Sequence, residues 1–380
     1  MTENNSAKAL QRLLNHAVAE GQPGISAAIC NSRGVIWRAV AGSADLSNDS
    51  AVKPNHLFGI GSITKTFIAV IILQLVEEQR LDLGQTALDI LTTELVGKVP
   101  GVENATIAQL LNHTGGIPSW EDDPQWIVQG RGCKLDPQRL WRPADTLQYI
   151  ENTPVRNAPG EKYNYANTNH TLLGLIIEQV TGNDLVTEIH NRILQKVGIQ
   201  DIYLEGFQSL PEDRLAKRYH YATEDFVKNA GLHPSFVAVN SKLIDVSSTN
   251  LSTEWAAGGI VATATDLAKY AAAFRAGKLL SPESMRFIQQ WQPIDEKFKI
   301  GHGLFHGTLD CGYSFLGHTG SVLGYSSVMH WPEDEDLAIV VLSNVGTMHT
   351  GSKKQASAAS LAFDVQFIEH AMEYARQVEM

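Results

Sequence analysis

The sequence predicts an α+β fold: an antiparallel sheet built from the two ends of the chain, flanked by terminal helices, with a helical domain inserted between them. Three observations predict it. Strand-type runs lie near both ends of the 380 residues, while helical periodicity fills the middle. The first two strand-type runs are joined by Asn31-Ser32-Arg33-Gly34, a turn-rich tetrapeptide suited to an antiparallel hairpin. No repeat, low-complexity tract or Pro/Gly/Ser-rich linker divides the chain, so a second domain enters as an insertion.

Residues 6–20 place Leu10, Leu13, Leu14 and Val18 at helical spacing, and Gly21 and Pro23 close this amphipathic opening helix. Residues 24–30 and 35–41 are the arms of the hairpin. From 62 to 79, Ile63, Phe67, Ile68, Val70, Ile71, Ile72, Leu75 and Val76 make a helix apolar nearly all round, which must be buried on most sides. Helices are expected at 106–112, 144–152, 168–181 and 183–196, separated by irregular segments such as 113–142, a folded loop with Trp120, Trp126 and Trp141. A helix over 264–275 precedes strand-type runs at 313–316, 323–331 and 337–343, and a closing helix covers 355–377. On this order, residues 1–58 plus 245–380 form the sheet domain and 59–244 the helical insertion.

Composition narrows the function. With 43% hydrophobic and 19% charged residues the chain is globular, and its formal charge of -11, with no basic patch, argues against a nucleic-acid partner. Cys30, Cys133 and Cys311 are too few and too scattered for a disulfide framework or a paired Cys-x-x-Cys metal site. The longest apolar stretch, 67–76, is far short of the ~20 residues of a membrane span. Residues 1–6 hold no basic region leading into an apolar one, so a cytoplasmic protein is expected. Neither a Walker nor a dinucleotide glycine motif stands in a strand-to-helix setting, and no His-Glu-x-x-His occurs. His302 and His306 are spaced as metal ligands on a helix would be, but glycines 301, 303 and 307 interrupt any helix there. No cofactor and no metal are therefore expected.

Three motifs carry chemistry. Ser62 heads the buried helix after Gly59-Ile60-Gly61, and Lys65 stands three positions on, on the same helical face. An amine acting as a base at neutral pH must titrate ~3 units below its free value, and an apolar helix supplies the desolvation. The Ser62 amide at the helix start is also an oxyanion donor. In Tyr165-Ala166-Asn167, Tyr165 can relay a proton and Asn167 can hold a substrate carbonyl. In His318-Thr319-Gly320-Ser321, expected as a Gly-containing segment between two strands, His318 and Thr319 can offer positive charge and a hydroxyl. Gly320 permits close approach, and the Ser321 amide can be a second oxyanion donor.

In the order Ser-x-x-Lys, Tyr-x-Asn, His-Thr-Gly, these motifs are jointly specific, and the chain resembles the serine β-lactamase and penicillin-binding fold family. Within it the similarity is to soluble D-alanyl-D-alanine carboxypeptidases, class C-like relatives and D-aminopeptidase or amidase types. It extends to Gly61-Ser-Ile-Thr-Lys-Thr-Phe, Asn112-His-Thr-Gly-Gly, Asn157-Ala-Pro-Gly and Gly317-His-Thr-Gly-Ser-Val-Leu-Gly-Tyr, over roughly residues 20–346. The resemblance implies a β-lactamase-like fold with the site in the cleft between the two domains. It implies Ser62 as nucleophile, Lys65 and Tyr165 as proton-transfer groups, and Asn167, His318, Thr319 and Gly320 at the substrate. The amides of Ser62 and Ser321 would form the oxyanion hole; which of Lys65 and Tyr165 is the base stays open. The implied activity is acyl-enzyme hydrolysis of amides or esters in a small molecule or short peptide. The alternatives are a β-lactamase, a slowly deacylating penicillin-binding sensor, or an acyltransferase to a small acceptor. Two departures matter. His318 stands where β-lactamases of the family carry lysine, and the neighbouring segment 303–311 has no arginine to hold a terminal carboxylate, His306 being its only basic group. Both point toward D-amino-acid amides, short peptides or esters.

Overall fold

A computed structural model describes residues 5–379. Residues 1–4, part of the stretch read for a leader, lie outside the described residues. The main sheet has nine strands in the spatial order Gln292–Pro293, Phe298–Ile300, Phe305–Thr308, Ser314–Val322, Tyr325–Pro332, Ala338–Ser343, Gly24–Asn31, Gly34–Asp45 and Ser50–Ala51. Every neighbouring pair in it is antiparallel. N- and C-terminal segments meet at its centre, where Ile25 pairs with Ser343 and Cys30 with Ala338.

The central strand Gly24–Asn31 is buried along its whole length. Because successive side chains point to opposite faces, Ile25, Ala27 and Ile29 pack with Leu10 and Leu14 of the helix Asn5–Ala19 and with Phe367 and Ala371 of the helix Val365–Glu379. Ala28 and Cys30 join the larger core on the other face, with Leu267, Ala268 and Ala271 of the helix Ala264–Arg275. A strand covered on both sides is apolar at every position, which is why 337–343 reads as one unbroken run.

The buried helix runs Thr64–Glu77, entered through a 3₁₀ turn, Gly61–Ile63, that contains Ser62. Two small sheets tie its surroundings together. One joins Phe58–Gly59, Ile260–Ala262 and Ile202–Leu204; the other joins Val345–Gly346, Tyr219–Tyr221, Leu243–Asp245 and Val237–Ala238. Among the described residues, no helix is long and apolar enough to cross a membrane.

Several elements differ from expectation. The closing helix is two, Ala358–Ala362 and Val365–Glu379, because the Asp364 carboxylate accepts the N–H groups of Gln366 and Phe367 and starts a new helix. The helix expected over 144–152 is a 3₁₀ segment, Pro143–Tyr149, and that over 183–196 contains a π turn, His190–Leu194. The loop 113–142 holds short helical turns, among them a π turn, Ile127–Arg131. His318-Thr319-Gly320-Ser321 is no connection between strands: it lies inside the nine-residue strand Ser314–Val322. Gly317 and Gly320 break the β-type pattern because neighbouring backbone leaves no room for a side chain there. A Cβ on Gly317 would lie 2.2 Å from the Met329 carbonyl oxygen, and one on Gly320 only 1.9 Å from that of Ile60.

Candidate active site

The segment Gly59-Ile60-Gly61 is held between two sheets. The Ile60 N–H donates to the Ile260 carbonyl at 2.9 Å, and the Ser327 hydroxyl donates to the Ile60 carbonyl at 2.7 Å. Gly61 then takes φ +51°, a left-handed conformation that disfavours side chains, and a Cβ there would lie 2.7 Å from the Ser321 amide nitrogen. The start of the buried helix is thereby pressed against the strand carrying the third motif. The strand Phe305–Thr308 pairs only as far as Phe305 opposite Gly317, so residues 318–322 keep a free edge on that side. Ser62 and Ser321, each partly exposed, meet along it.

Lys65 is fully buried, and its Nζ is hydrogen bonded to the Ser62 hydroxyl at 3.1 Å, the Asn167 amide oxygen at 2.7 Å and the Ala257 carbonyl at 2.6 Å. Burial lowers its pKa to about 7, opposed by Glu121 and Glu254 and assisted by Arg131. A neutral amine has two protons to donate. The two shorter contacts are to oxygens that can only accept, so in that form its lone pair is left for the Ser62 hydroxyl proton. Tyr165 stands beside this pair, its ring 4.9 Å from Lys65 Nζ and stacked at 4.3 Å on His113. Burial drives the Tyr165 phenol well above its ordinary value, more strongly than the nearby Ser62 hydroxyl lowers it. Its proton is therefore retained at neutral pH.

Asn167 opens the helix Asn167–Thr181, its own N–H donating to the Ser119 hydroxyl at 3.0 Å. Its amide NH₂ donates to Glu121 at 2.5 Å, which fixes the amide oxygen toward Lys65.

His318 corrects the expectation of positive charge. Burial, with a smaller contribution from Lys65, pushes its pKa down to about 3, so the ring is neutral. Nδ1 lies 2.6 Å from the Thr319 carbonyl, which can only accept; Nδ1 thus carries the proton and Nε2 the lone pair. Thr319 is exposed, at the edge. The neighbouring strand presents Phe305 to His318, ring centroids 4.8 Å apart, whereas His306 meets Glu333 at 3.3 Å. His306 lies opposite Leu316, one residue pair beyond the free edge, and its ring is taken up by Glu333 and by Trp291, 5.5 Å away. His302 also stands apart, bonded to the Phe287 carbonyl and contacting Asn112.

The structure thus brings Ser62, Lys65, Tyr165 and Asn167 into direct contact, and lays Gly320 and Ser321 against the turn that carries Ser62. Sequence reasoning missed Glu121, Arg131, Glu254, the Ala257 carbonyl and His113. Only His113 had a signal, within Asn112-His-Thr-Gly-Gly; the others lie in segments without periodicity.

The family model described as Beta-lactamase matches residues 10–362. Over 193 residues, 50% of this chain, the sequence is 29% identical to Protein flp of Staphylococcus aureus (strain N315), and the match spans only 37% of that protein's length. Among solved structures, a D-stereospecific amidohydrolase from Streptomyces sp. is 28% identical with a TM-score of 0.76, covering 90% of this chain and 94% of that one. The D-amino acid amidase from Ochrobactrum anthropi SV3, complexed with D-phenylalanine, shares the fold at a TM-score of 0.83 and 23% identity, covering 98% of this chain and 100% of that one.

Proposed function

The chain belongs to the beta-lactamase family, and from that premise we propose that it is a serine hydrolase acting through an acyl-enzyme at Ser62 on amides or esters of D-amino acids and short D-residue peptides. The observation that carries the reading is the fully buried Lys65 amine within 3.1 Å of the Ser62 hydroxyl, its pKa pushed down by that burial to about 7. Ser62 Oγ attacks the carbonyl carbon while its proton passes to Lys65 Nζ. The amides of Ser62 and Ser321 hold the oxyanion, each such donor contributing on the order of 10²–10³ in rate. Tyr165 hands its phenol proton to the departing amine or alcohol and takes one back from the Lys65 ammonium, which is neutral again. A water molecule then adds to the acyl carbon as one of its protons passes to Lys65, and that proton returns to Ser62 Oγ as the acid is released. The opposite directions of the Lys65 and Tyr165 shifts favour Lys65 as the base. The substrate would lie along the free edge at 318–322, between the sheet part (1–58, 245–380) and the helical part (59–244), with Asn167, His318, Thr319 and Gly320 beside it.

A neutral His318, with His306 engaged by Glu333, leaves this edge without a free cation for a substrate carboxylate. That supports amides and esters over free C-terminal acids, as does the likeness to a protein named a D-stereospecific amidohydrolase. The test is hydrolysis of D- and L-phenylalanine amide and of D-alanine esters by the native chain and by Ser62→Ala, alongside intact mass after incubation with a penicillin. Ser62-dependent hydrolysis favouring the D-amide is expected. Drug hydrolysis exceeding amide turnover would replace the reading with a β-lactamase, a stable adduct without turnover with a sensor, and undiminished activity in Ser62→Ala would end it.

A further inference from the structure

Behind Lys65 lies an ion cluster that the steps above do not use. Arg131 is fully buried, 1% exposed, and closes the π turn Ile127–Arg131, an irregularity frequent at functional sites. Its guanidinium reaches Glu121 at 2.7 Å and Glu254 at 2.6 Å, with the Trp126 ring 4.8 Å from its carbon. Each glutamate leads back to an acceptor of the Lys65 amine, Glu121 through its carboxylate and Glu254 through its main chain. Glu121 accepts the Asn167 NH₂ at 2.5 Å, and the Asn167 oxygen accepts from Lys65. Glu254 begins the turn whose closing bond runs from the Ala257 N–H to the Glu254 carbonyl at 2.8 Å, and the Ala257 carbonyl is the other acceptor.

We infer that Arg131 is the positioning residue of this site: by bridging Glu121 and Glu254 it aims the Asn167 oxygen and the Ala257 carbonyl at Lys65 Nζ, and so turns the amine's lone pair toward Ser62. A side-chain amide can flip, and an acceptor-only carboxylate held in place prevents it. Both carboxylates meet one terminal nitrogen, Nη2, and the guanidinium that carries it packs on the Trp126 ring, a placement that a lysine ammonium, compact and strongly hydrated, does not reproduce. The cluster also sets the field at Lys65. The charged or titratable groups that face the amine are Glu121, Glu254, Arg131, Tyr165, His113, His170 and His318. Burial keeps all three histidines neutral and Tyr165 protonated. The two carboxylates and the one guanidinium are left as the charges that oppose each other there.

The inference rests on the reading that Lys65 takes the Ser62 proton, and its test separates the two. Lys65 is titrated directly by NMR of ¹³C-lysine protein, assigned with Lys65→Arg, and kcat and KM are measured on D-phenylalanine amide. Arg131→Met leaves two carboxylates and should move the Lys65 titration upward by about one pH unit, whereas Glu254→Gln should move it downward by about as much. Arg131→Lys keeps the charge but loosens the aim, so its Lys65 titration should stay near that of the native chain while kcat falls at least ~10-fold at nearly constant KM. A merely structural arginine would lower the folded fraction and leave the titration of the folded protein unmoved. Unchanged titrations in folded Arg131→Met and Glu254→Gln, or full kcat in Arg131→Lys, would overturn the inference. Should Arg131→Met fail to fold, Glu254→Gln and Arg131→Lys decide alone. Absence of Ser62-dependent turnover in the native chain, with the opposed shifts observed, would overturn the proposed function and leave Arg131's hold on Lys65 standing.

Discussion

Replacing Lys65 with methionine should abolish turnover and, in the same variant, remove a specific pH dependence of stability. The Lys65 pKa is lowered from 10.5 to about 7, chiefly by burial. In the unfolded chain the amine keeps its proton up to about pH 10. Between these values the unfolded state binds more protons than the folded one, so stability rises with pH. Below about pH 7 the folded protein bears the whole cost of a buried ammonium, and above about pH 10 it bears none. The full span corresponds to roughly 5 kcal/mol, of which ~2 kcal/mol falls between about pH 7 and pH 9. Methionine also leaves the Asn167 oxygen and the Ala257 carbonyl without the amine, a loss of about 1–3 kcal/mol each that does not vary with pH. The stability difference at one pH is thus uninformative, and its slope is the signal. Urea unfolding of both proteins across pH 7 to 9 measures it, since every other titrating group cancels in the difference. Native stability should gain ~2 kcal/mol on the variant over that range. Parallel curves would refute a neutral buried amine, and with it the reasoning that makes Lys65 a base.

Gly320→Ala places a Cβ 1.9 Å from the Ile60 carbonyl oxygen and 2.4 Å from the Ser327 hydroxyl. It should cost about 1–3 kcal/mol in thermal unfolding and, by pushing the Ser62 turn off the strand, lower kcat on the order of 10²-fold; unchanged kcat would separate that contact from the oxyanion hole. Tyr165→Phe should lower kcat by about 10²–10⁴-fold with circular dichroism unchanged, and a rate within twofold of native would assign its proton elsewhere. His318 is neutral down to about pH 3, so His318→Gln should leave the shape of the kcat/KM profile between about pH 5 and pH 9 intact even if KM changes. A limb near pH 6.5 that vanishes in this variant would show that His318 titrates.

Much of this arrangement was legible because it is local. Ser62 and Lys65 lie on one turn, and an i,i+3 pair on helical backbone meets wherever that helix is placed. The all-round apolar run after Ser62 states its own burial, and the hairpin 24–41 and the solid run 337–343 state a sheet centre. The strand Phe305–Thr308 was not legible, because glycines 303 and 307 erase the alternation that signals a strand. For the same reason His318-Thr319-Gly320-Ser321 looked like a connection, when its glycines are the mark of close backbone contact within a strand.

By itself, the sequence determined the fold class, the family, and which side chains supply the hydroxyl, amine, phenol and amide of the proposed site, since these follow from periodicity and from motif order. Tertiary structure alone decided how those groups are charged and aimed. The ready loss of a proton from Lys65 and the neutrality of His318 are consequences of desolvation by residues from many segments. The bonds that orient Asn167 and the Ala257 carbonyl run through Glu121, Arg131 and Glu254, with Arg131 and Glu254 123 positions apart. Contacts closed over such separations leave no periodic trace along the chain, because they are selected by packing in three dimensions and not by the geometry of any one helix or strand.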